Sequence, residues 1–346
     1  MPTRPSILYV SNLAYPAKGR RYCDEDIYLT STLRQHFDIA ITHPEDAATL
    51  MDNFDTVVVR NSGPVIDYPT AYETFRTKAT TTGHRVYNPL TGKADMAGKQ
   101  YMLDLTTEGY PVIPTIDDLT NLHLLTDLAD RHNLPTPTTY VTKPKAGADS
   151  HGLEFHTRET LENREAFRRT REATHPQDAT RNPADKPTDD PTNDRTNEPS
   201  ESAAEATRET TERIPGSPLQ NPDATERIPG DTLIQPKIDF RYEVSFYFVD
   251  QDFQYALHAP DPAQRWELTL YTPSDEDLEF AQKFIAWNDL PHGIQRVDAC
   301  RTQTDDLLLV ELEDLNPYLS LDRTTDDIRT RFAEAMTTSL RNSLDS

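Results

Sequence analysis

Arg296-Val-Asp298-Ala-Cys-Arg-Thr-Gln-Thr-Asp-Asp-Leu-Leu-Leu-Val-Glu311-Leu-Glu313-Asp-Leu-Asn316-Pro317 is the stretch of this 346-residue chain from which the fold is read. Two strand-like pieces flank a polar turn at Gln303 to Asp306, and the second, Leu307 to Glu313, is an apolar run that acquires carboxylates at its far end. Alternate residues of a strand face the same way, so Glu311 and Glu313 are expected to project together, and an antiparallel neighbour brings Asp298 beside them. Buried carboxylates are costly unless paired or bound to cations. Three acidic oxygen donors on one sheet face suit Mg²⁺, which takes carboxylates together with phosphate oxygens. An acidic strand end meeting solvent has the same pattern, and this stretch alone does not separate the two. Asp314 and Asn316 read as turn residues.

Upstream of this pair the spacing predicts a hairpin, Tyr242 to Asp250 and Phe253 to Ala259, joined through Asp-Gln-Asp, because apolar residues recur with period two. A helix over 274–288 follows, with Phe280, Phe284 and Ile285 on one face, and an amphipathic helix around 325–343 closes the chain.

At the other end, Ser6 to Asn12 reads as a first strand, and Cys23 to Phe37 as an amphipathic helix with acids in its first turn. A strand at 38–42, one from Thr56 running into a turn by Pro64, and one from Arg85 alternate with helices at 45–53 and 68–80, which indicates a mostly parallel sheet with helical cover. Ligands of such sheets gather beyond the C-terminal strand ends, where Ser11, Asn12, Arg60, Asn61 and Ser62 fall. Arg60 is the candidate for an anionic substrate, with a turn-stabilising surface role as the equal alternative.

In the middle, a helix carrying Lys99 ends at Gly109, an extended segment runs to Pro114-Thr115, and a helix over 117–132 shows Leu119, Leu122, Leu125 and Leu128 on one face. Tyr140 to Phe155 reads as strand, polar glycine-containing loop and strand. A strand lysine, Lys143, before a small-residue loop makes a phosphate cradle, though many hairpins share the pattern. From Pro176 to Asp231 the chain is rich in Pro, Thr, Asp, Asn and Glu, too poor in apolar area to offset chain entropy, so disorder is expected there. The duplicated Glu212-Arg-Ile-Pro-Gly216 and Glu226-Arg-Ile-Pro-Gly230 are too few for a solenoid and fit a neutral insertion better than a docking motif.

Composition narrows the classes. The length allows two or three domains. The start lacks a basic region followed by an apolar run, so no signal peptide is expected, and no apolar run reaches the length of a membrane span. Cys23 and Cys300 are far apart and without partners at metal spacing, which argues against a disulfide scaffold or zinc site and fits a reducing cytoplasm. A net charge of -23 disfavours nucleic acid as a partner and suits either a high-salt surface or simple solubility.

In order and spacing these pieces resemble the ATP-grasp ligase superfamily, in its glutathione-synthetase-like branch, over nearly the whole chain except the insert. The matching residues are Lys99, Gly109-Tyr-Pro-Val-Ile-Pro-Thr115, Lys143-Pro-Lys-Ala-Gly147, Gln235-Pro236, Glu243-Val-Ser245 with Asp250, Arg296-Val-Asp298, and Glu311-Leu-Glu313 with Pro317. The resemblance implies an α/β (α+β) fold with an N-terminal pre-ATP-grasp substrate domain over 1–88. It implies a central lid subdomain from 89–156 with 232–238, the insert at 157–231, and a C-terminal antiparallel-sheet subdomain with the metal site at 239–346.

By the same resemblance Lys99 and Lys143 grip the ATP phosphates as point charges. The loop over 146–152, with Gly147, Ser150 and Gly152, is the lid, and Gln235, Pro236, Lys237 and Ile238 form the hinge that pairs with adenine. Arg265 and Arg296 steady the transferred phosphoryl group. Asp298, Glu311 and Glu313 hold two Mg²⁺ ions, with Mn²⁺ as an alternative, Glu311 bridging them. The implied activity is ATP-dependent joining of a carboxylate to an amine through an acyl phosphate, on small-molecule or short-peptide substrates, by a homodimer or tetramer. A nucleotide-binding module without ligation and a small-molecule kinase are the alternatives; the intact set Lys99, Lys143, Asp298, Glu311 and Glu313 argues against the first. The chain departs from relatives in having Glu at 313, where Asn is frequent, and in a glycine-poor lid.

Overall fold

The computed structural model describes residues 4–15, 21–145, 152–165 and 232–345. Strands β1 (Ser6–Val10), β2 (Asp38–Thr42), β3 (Thr56–Val59) and β4 (Val86–Tyr87) form a parallel sheet in the order β2-β1-β3-β4. Strand alternation sorts β1 between two cores. Ile7 and Tyr9 pack with Leu29 and Leu33 of α1 (Tyr22–Leu33), whereas Leu8 and Val10 face Ala47 of α2 (Ala47–Leu50) and Phe75 and Ala79 of α3 (Pro69–Thr82). Burial on both faces explains why these strands read as continuous apolar runs. The helix expected over 45–53 is broken: single 3₁₀ turns at Pro44–Asp46 and Met51–Asn53 flank α2.

Helix α4 (Tyr101–Glu108) stops at Gly109, whose φ of +78° places it in the left-handed region that glycine adopts without strain. Beyond it the chain laces two sheets together. The Ile113 N–H donates to the Leu309 carbonyl, the Leu309 N–H donates to the Pro111 carbonyl, and Ile116 and Ile234 exchange a pair of backbone bonds. The helix expected over 117–132 is shorter than its apolar pattern: a 3₁₀ turn at Leu119–Asn121, capped by Asp118, precedes α5 (Leu124–Arg131).

Strands β5 (Thr139–Pro144), β6 (Glu154–Thr157) and β7 (Thr232–Pro236) make a three-stranded antiparallel sheet in the order β6-β5-β7. A five-stranded antiparallel sheet, order β10-β9-β8-β11-β12, comprises β8 (Phe240–Val249), β9 (Asp252–Ala259), β10 (Thr269–Tyr271), β11 (Ile294–Thr302) and β12 (Leu307–Glu313). Helix α6 (Asp275–Asn288) opens with a capping box between Ser274 and Asp277, and α7 (Asp326–Asp345) buries Phe332, Ala333, Met336 and Leu340 against β8, β9 and the parallel sheet's helix side. The described parts of Met1–Leu161 and Pro229–Ser346 belong to one compact unit. No helix among the described residues is long and apolar enough to cross a membrane. The stretch expected to be disordered, 176–231, lies outside the described residues.

One irregularity decides where the acidic end of β12 points. Asp298 pairs with Glu311 but Ala299 pairs with Leu309, so Val310 is an extra residue and β12 is bulged. The bulge reverses the alternation: Leu307, Leu309 and Leu312 all enter the core under α6, and Glu311 and Glu313 emerge on the opposite face.

Asn88, just past β4, fastens the parallel sheet to this region. Its Nδ2 donates to the Ile294 and Asp314 carbonyls, each at 2.6 Å, and its Oδ1 accepts the Ile294 N–H at 2.8 Å. Asn88→Ala should therefore destabilise the protein by about 3 kcal/mol in denaturant titration, since it leaves several buried groups unpaired.

Candidate active site

The bulged face of the five-stranded sheet floors a cavity of about 270 Å³. From β8 it receives Glu243, from β11 Arg296 and Asp298, from β12 Glu311 and Glu313, with Arg265 at its side. The pairing Arg296 with Glu313 and Asp298 with Glu311 puts all four side chains on one face, the arrangement expected from the alternation.

The charges are tightly paired. The Arg296 guanidinium donates from Nε to both oxygens of Asp298, at 2.9 and 3.1 Å, and from Nη2 to Asp298 at 2.8 Å and Glu313 at 2.5 Å; its Nη1 reaches the Tyr318 carbonyl at 2.8 Å. Burial nevertheless pushes the Glu313 carboxyl up to about 7 against the pull of Arg296, with Asp298 and Asp95 adding to the rise. Arg265 grips Glu243 with two parallel bonds of 2.7 and 2.8 Å, and burial raises the Glu243 carboxyl against that arginine. Lys99 is buried, ion-paired with Glu311, and 3.7 Å from Asp95.

Asp95 is a residue the sequence reading missed. Oxygens of Asp95, Glu311 and Glu313 all lie within 4.8 Å of one another, whereas Asp298 is held by Arg296 instead of joining this trio. Asp95 Oδ1 is buried and accepts no hydrogen bond among the described residues, Lys99 Nζ standing 3.7 Å away. Three carboxylates, one with a buried oxygen that accepts no hydrogen bond among the described residues, form a donor set that fits a hard divalent cation. The only signal in the sequence was the four-residue spacing to Lys99, which on a 3₁₀ turn (Asp95–Ala97) has no periodicity to stand out.

The Lys143 side chain, on β5, has no hydrogen bond or ion pair among the described residues. Burial first, and then the charge of Lys99, push its ammonium down to about 7. A half-buried cation beside another cation favours an anion between them. The backbone joins the two lysine segments, since the Lys99 N–H donates to the Lys145 carbonyl at 3.0 Å. Gly147 and Ser150 lie outside the described residues. Gly152 has φ +74° and a side chain there would strike Pro144, so it closes the β5–β6 connection.

Of the residues expected to form the hinge, Gln235 is buried with its Nε2 on Thr115 Oγ1 at 2.8 Å, Pro236 pairs with Tyr140, and the Lys237 N–H reaches the Thr139 carbonyl at 2.9 Å. The Lys237 side chain is exposed, and Ile238 packs beside Ile113, Cys300 and Leu308 with Val310, an apolar wall.

The strand-end candidates of the parallel sheet divide. Asn61 lines the cavity and donates to the Tyr22 carbonyl at 3.2 Å. Ser11 donates to Asp26, and Asn12 donates to the Tyr68 hydroxyl at 2.6 Å. Arg60 is only 1% exposed: it donates to Glu25 at 3.2 Å and to the Pro317 carbonyl at 2.7 Å, so neither the substrate nor the surface role read for it matches its place. Glu25 and Asp26, expected simply as helix-start acids, are buried. Glu25 accepts the Leu319 and Leu321 N–H groups, and burial lifts it to about 7 against the pull of Arg60. This network anchors the loop after Pro317, which carries Tyr318 to the cavity. Asn316, read as a turn residue, bonds Ser62 at 2.8 Å and Gly63 at 3.2 Å across the same gap.

No protein-family model and no curated protein sequence matches the chain. Solved structures do. D-cycloserine synthetase DcsG superposes with a TM-score of 0.61 at 18% identity, covering 97% of this chain and 100% of that one. The ATP-grasp ligase PsnB, complexed with a minimal precursor, gives 0.55 at 14% identity over 97% and 99%. D-alanine–D-alanine ligase from Bacillus anthracis, complexed with ATP, gives 0.54 at 10% identity over 99% and 98%. The chain has the ATP-grasp fold.

Proposed function

We propose that this protein is an ATP-dependent carboxylate–amine ligase, releasing ADP and phosphate and joining small-molecule or short-peptide substrates. The glutathione-synthetase-like branch is carried as part of the proposal. The observation that carries it is the convergence of Asp95, Glu311 and Glu313 with Lys99 and with Lys143, whose side chain is unpaired among the described residues, beside Gln235–Ile238, on a fold shared with ligases.

The residues divide the work. Lys143 and Lys99 draw the phosphates in, while the hinge backbone and the Ile238–Val310 wall take the base. Asp95, Glu311 and Glu313 would hold Mg²⁺, or Mn²⁺ in its place, with Asp298 joining if Arg296 turns to the phosphoryl group. Bound there, the cation neutralises charge on the transferring phosphoryl. Arg296 and Arg265 stand where charge develops as the substrate carboxylate takes the γ-phosphoryl to give an acyl phosphate. An amine then displaces phosphate to form the amide. Asn61, Tyr22 and Tyr318 border the side from which that amine would enter. No activated serine or cysteine is needed, because positioning and charge neutralisation supply the catalysis. The domain assignment follows: a substrate domain over 1–88, a lid subdomain over 89–156 with 232–238, and a metal-bearing subdomain over 239–346.

The test is incubation with ATP, Mg²⁺ and pools of amino acids and short peptides. Substrate-dependent release of ADP and phosphate with an amide product, seen by mass spectrometry, supports ligation; a stable phosphorylated product would point to a kinase. Failure of Mg²⁺ with ATP to raise the melting temperature would sink the nucleotide site itself.

A further inference from the structure

We infer that Asp314 is a positioning residue that sets Asp95 against Glu311 and Glu313; the inference rests on the proposed nucleotide and metal site and adds the residue that assembles it. Asp314 follows β12 directly and is fully buried. One carboxylate oxygen accepts the Met96 N–H at 2.7 Å. The other accepts the Ala94 N–H at 3.2 Å and Asn288 Nδ2 at 3.1 Å. The two amides flank Asp95 at the start of its 3₁₀ turn, where N–H groups lack partners within the turn.

The carboxylate is itself held from several sides. Asn288, at the end of α6, also accepts the Lys93 N–H and donates to Gln295, each at 2.8 Å, and Asn88 donates to the Asp314 carbonyl. Gly92 lets the backbone come this close: a Cβ there would lie 2.1 Å from an Asp314 oxygen. Asp314 therefore ties the turn bearing Asp95, and leading into Lys99, to the strand bearing Glu311 and Glu313. A neutral amide cannot replace it. With Asn at 314, an NH₂ group must face either the Met96 N–H or the Ala94 and Asn288 donors.

The experiment is a double-mutant cycle of Asp314→Asn and Asp95→Ala, reading the half-saturating Mg²⁺ concentration for the thermal shift produced by ADP. In the otherwise wild-type protein, Asp314→Asn should raise that concentration about tenfold, the usual scale for groups that orient ligands. In the Asp95→Ala background it should change it less than about twofold, because the residue it positions is gone. Equal shifts in both backgrounds, or none in either, would overturn the inference while leaving the nucleotide site standing. A wild-type protein with no Mg²⁺-dependent ADP shift would overturn the functional proposal, and this inference with it. A second measurement covers the case in which Asp314→Asn does not fold. In the wild-type protein the Ala94 and Met96 amides should be among the slowly exchanging ones, and rapid exchange at both would overturn the latch.

Discussion

Glu311→Gln should lower substrate-dependent ADP release by about a thousandfold or more, the scale of losing a charge that holds a catalytic cation. Glu311 belongs to the carboxylate trio and ion-pairs with Lys99, so it connects the groups proposed to hold the cation to those proposed to grip the phosphates. Glutamine keeps the volume, the rotamer and an oxygen for Lys99, but it removes the negative charge that a divalent cation demands. The fold should hardly register the change, because the Glu311 side chain is a quarter exposed and the bulge beside it is fixed by the backbone pairing and by Leu309 and Leu312 in the core. The measurement is kcat for ADP release alongside the melting temperature without ligand. Turnover within about tenfold of wild type in a folded variant would remove Glu311 from the reaction.

Lys143→Met should weaken ATP binding by about a hundredfold, the scale of a lost charge-assisted bond of about 2–3 kcal/mol, while stabilising the ligand-free protein. The second half follows from linkage. Burial and the neighbouring Lys99 lower the folded-state ammonium from its ordinary 10.5 to about 7, so between those values the unfolded chain binds more protons than the folded one. This residue's contribution to stability is present above about 10.5 and is lost as pH falls through about 7. At pH 6 to 7 the folded protein thus carries a half-buried ammonium it would prefer to discharge, and methionine relieves it. Phosphate supplies the missing counter-charge, so ATP binding should take up a proton above pH 7, and wild-type affinity should fall with rising pH while the variant's stays flat. Calorimetry in buffers of different ionisation enthalpy reads the proton uptake. Undiminished ATP affinity in Lys143→Met, or a lowered ligand-free melting temperature at pH 6.5, would contradict this account of the lysine.

Most of the secondary structure was legible because its signals are local. The first β–α–β run, the hairpin of β8 and β9, the capped helix α6 and the pair β11–β12 each follow from periodicity, caps and turn residues within a dozen positions. Less legible were pieces too short to show a period: β10 with three residues, the split helix around α2, and the 3₁₀ turns before α4 and α5. The same limit applies to the site. Glu311 and Glu313 stood out because acids ended an apolar strand, and Lys143 because it preceded a loop. Asp95 sits on a single turn, and Asp314 read as no more than a turn residue.

By itself, then, the sequence determined the order of elements, the antiparallel partnership of Arg296–Thr302 with Leu307–Glu313, and the shared face of Asp298, Glu311 and Glu313, since strand alternation and turn chemistry act over a few residues. The tertiary structure alone decided which of these acids stand together. The bulge at Val310 turns Leu312 inward and the glutamates outward, Arg296 pairs with Asp298, and Asp314, more than two hundred positions from Asp95, binds the amides on either side of it. It also moved Arg60 from a substrate or surface candidate to a buried anchor. Such outcomes depend on burial and on which distant backbone amides need a partner, and neither is written in the spacing of residues along the chain.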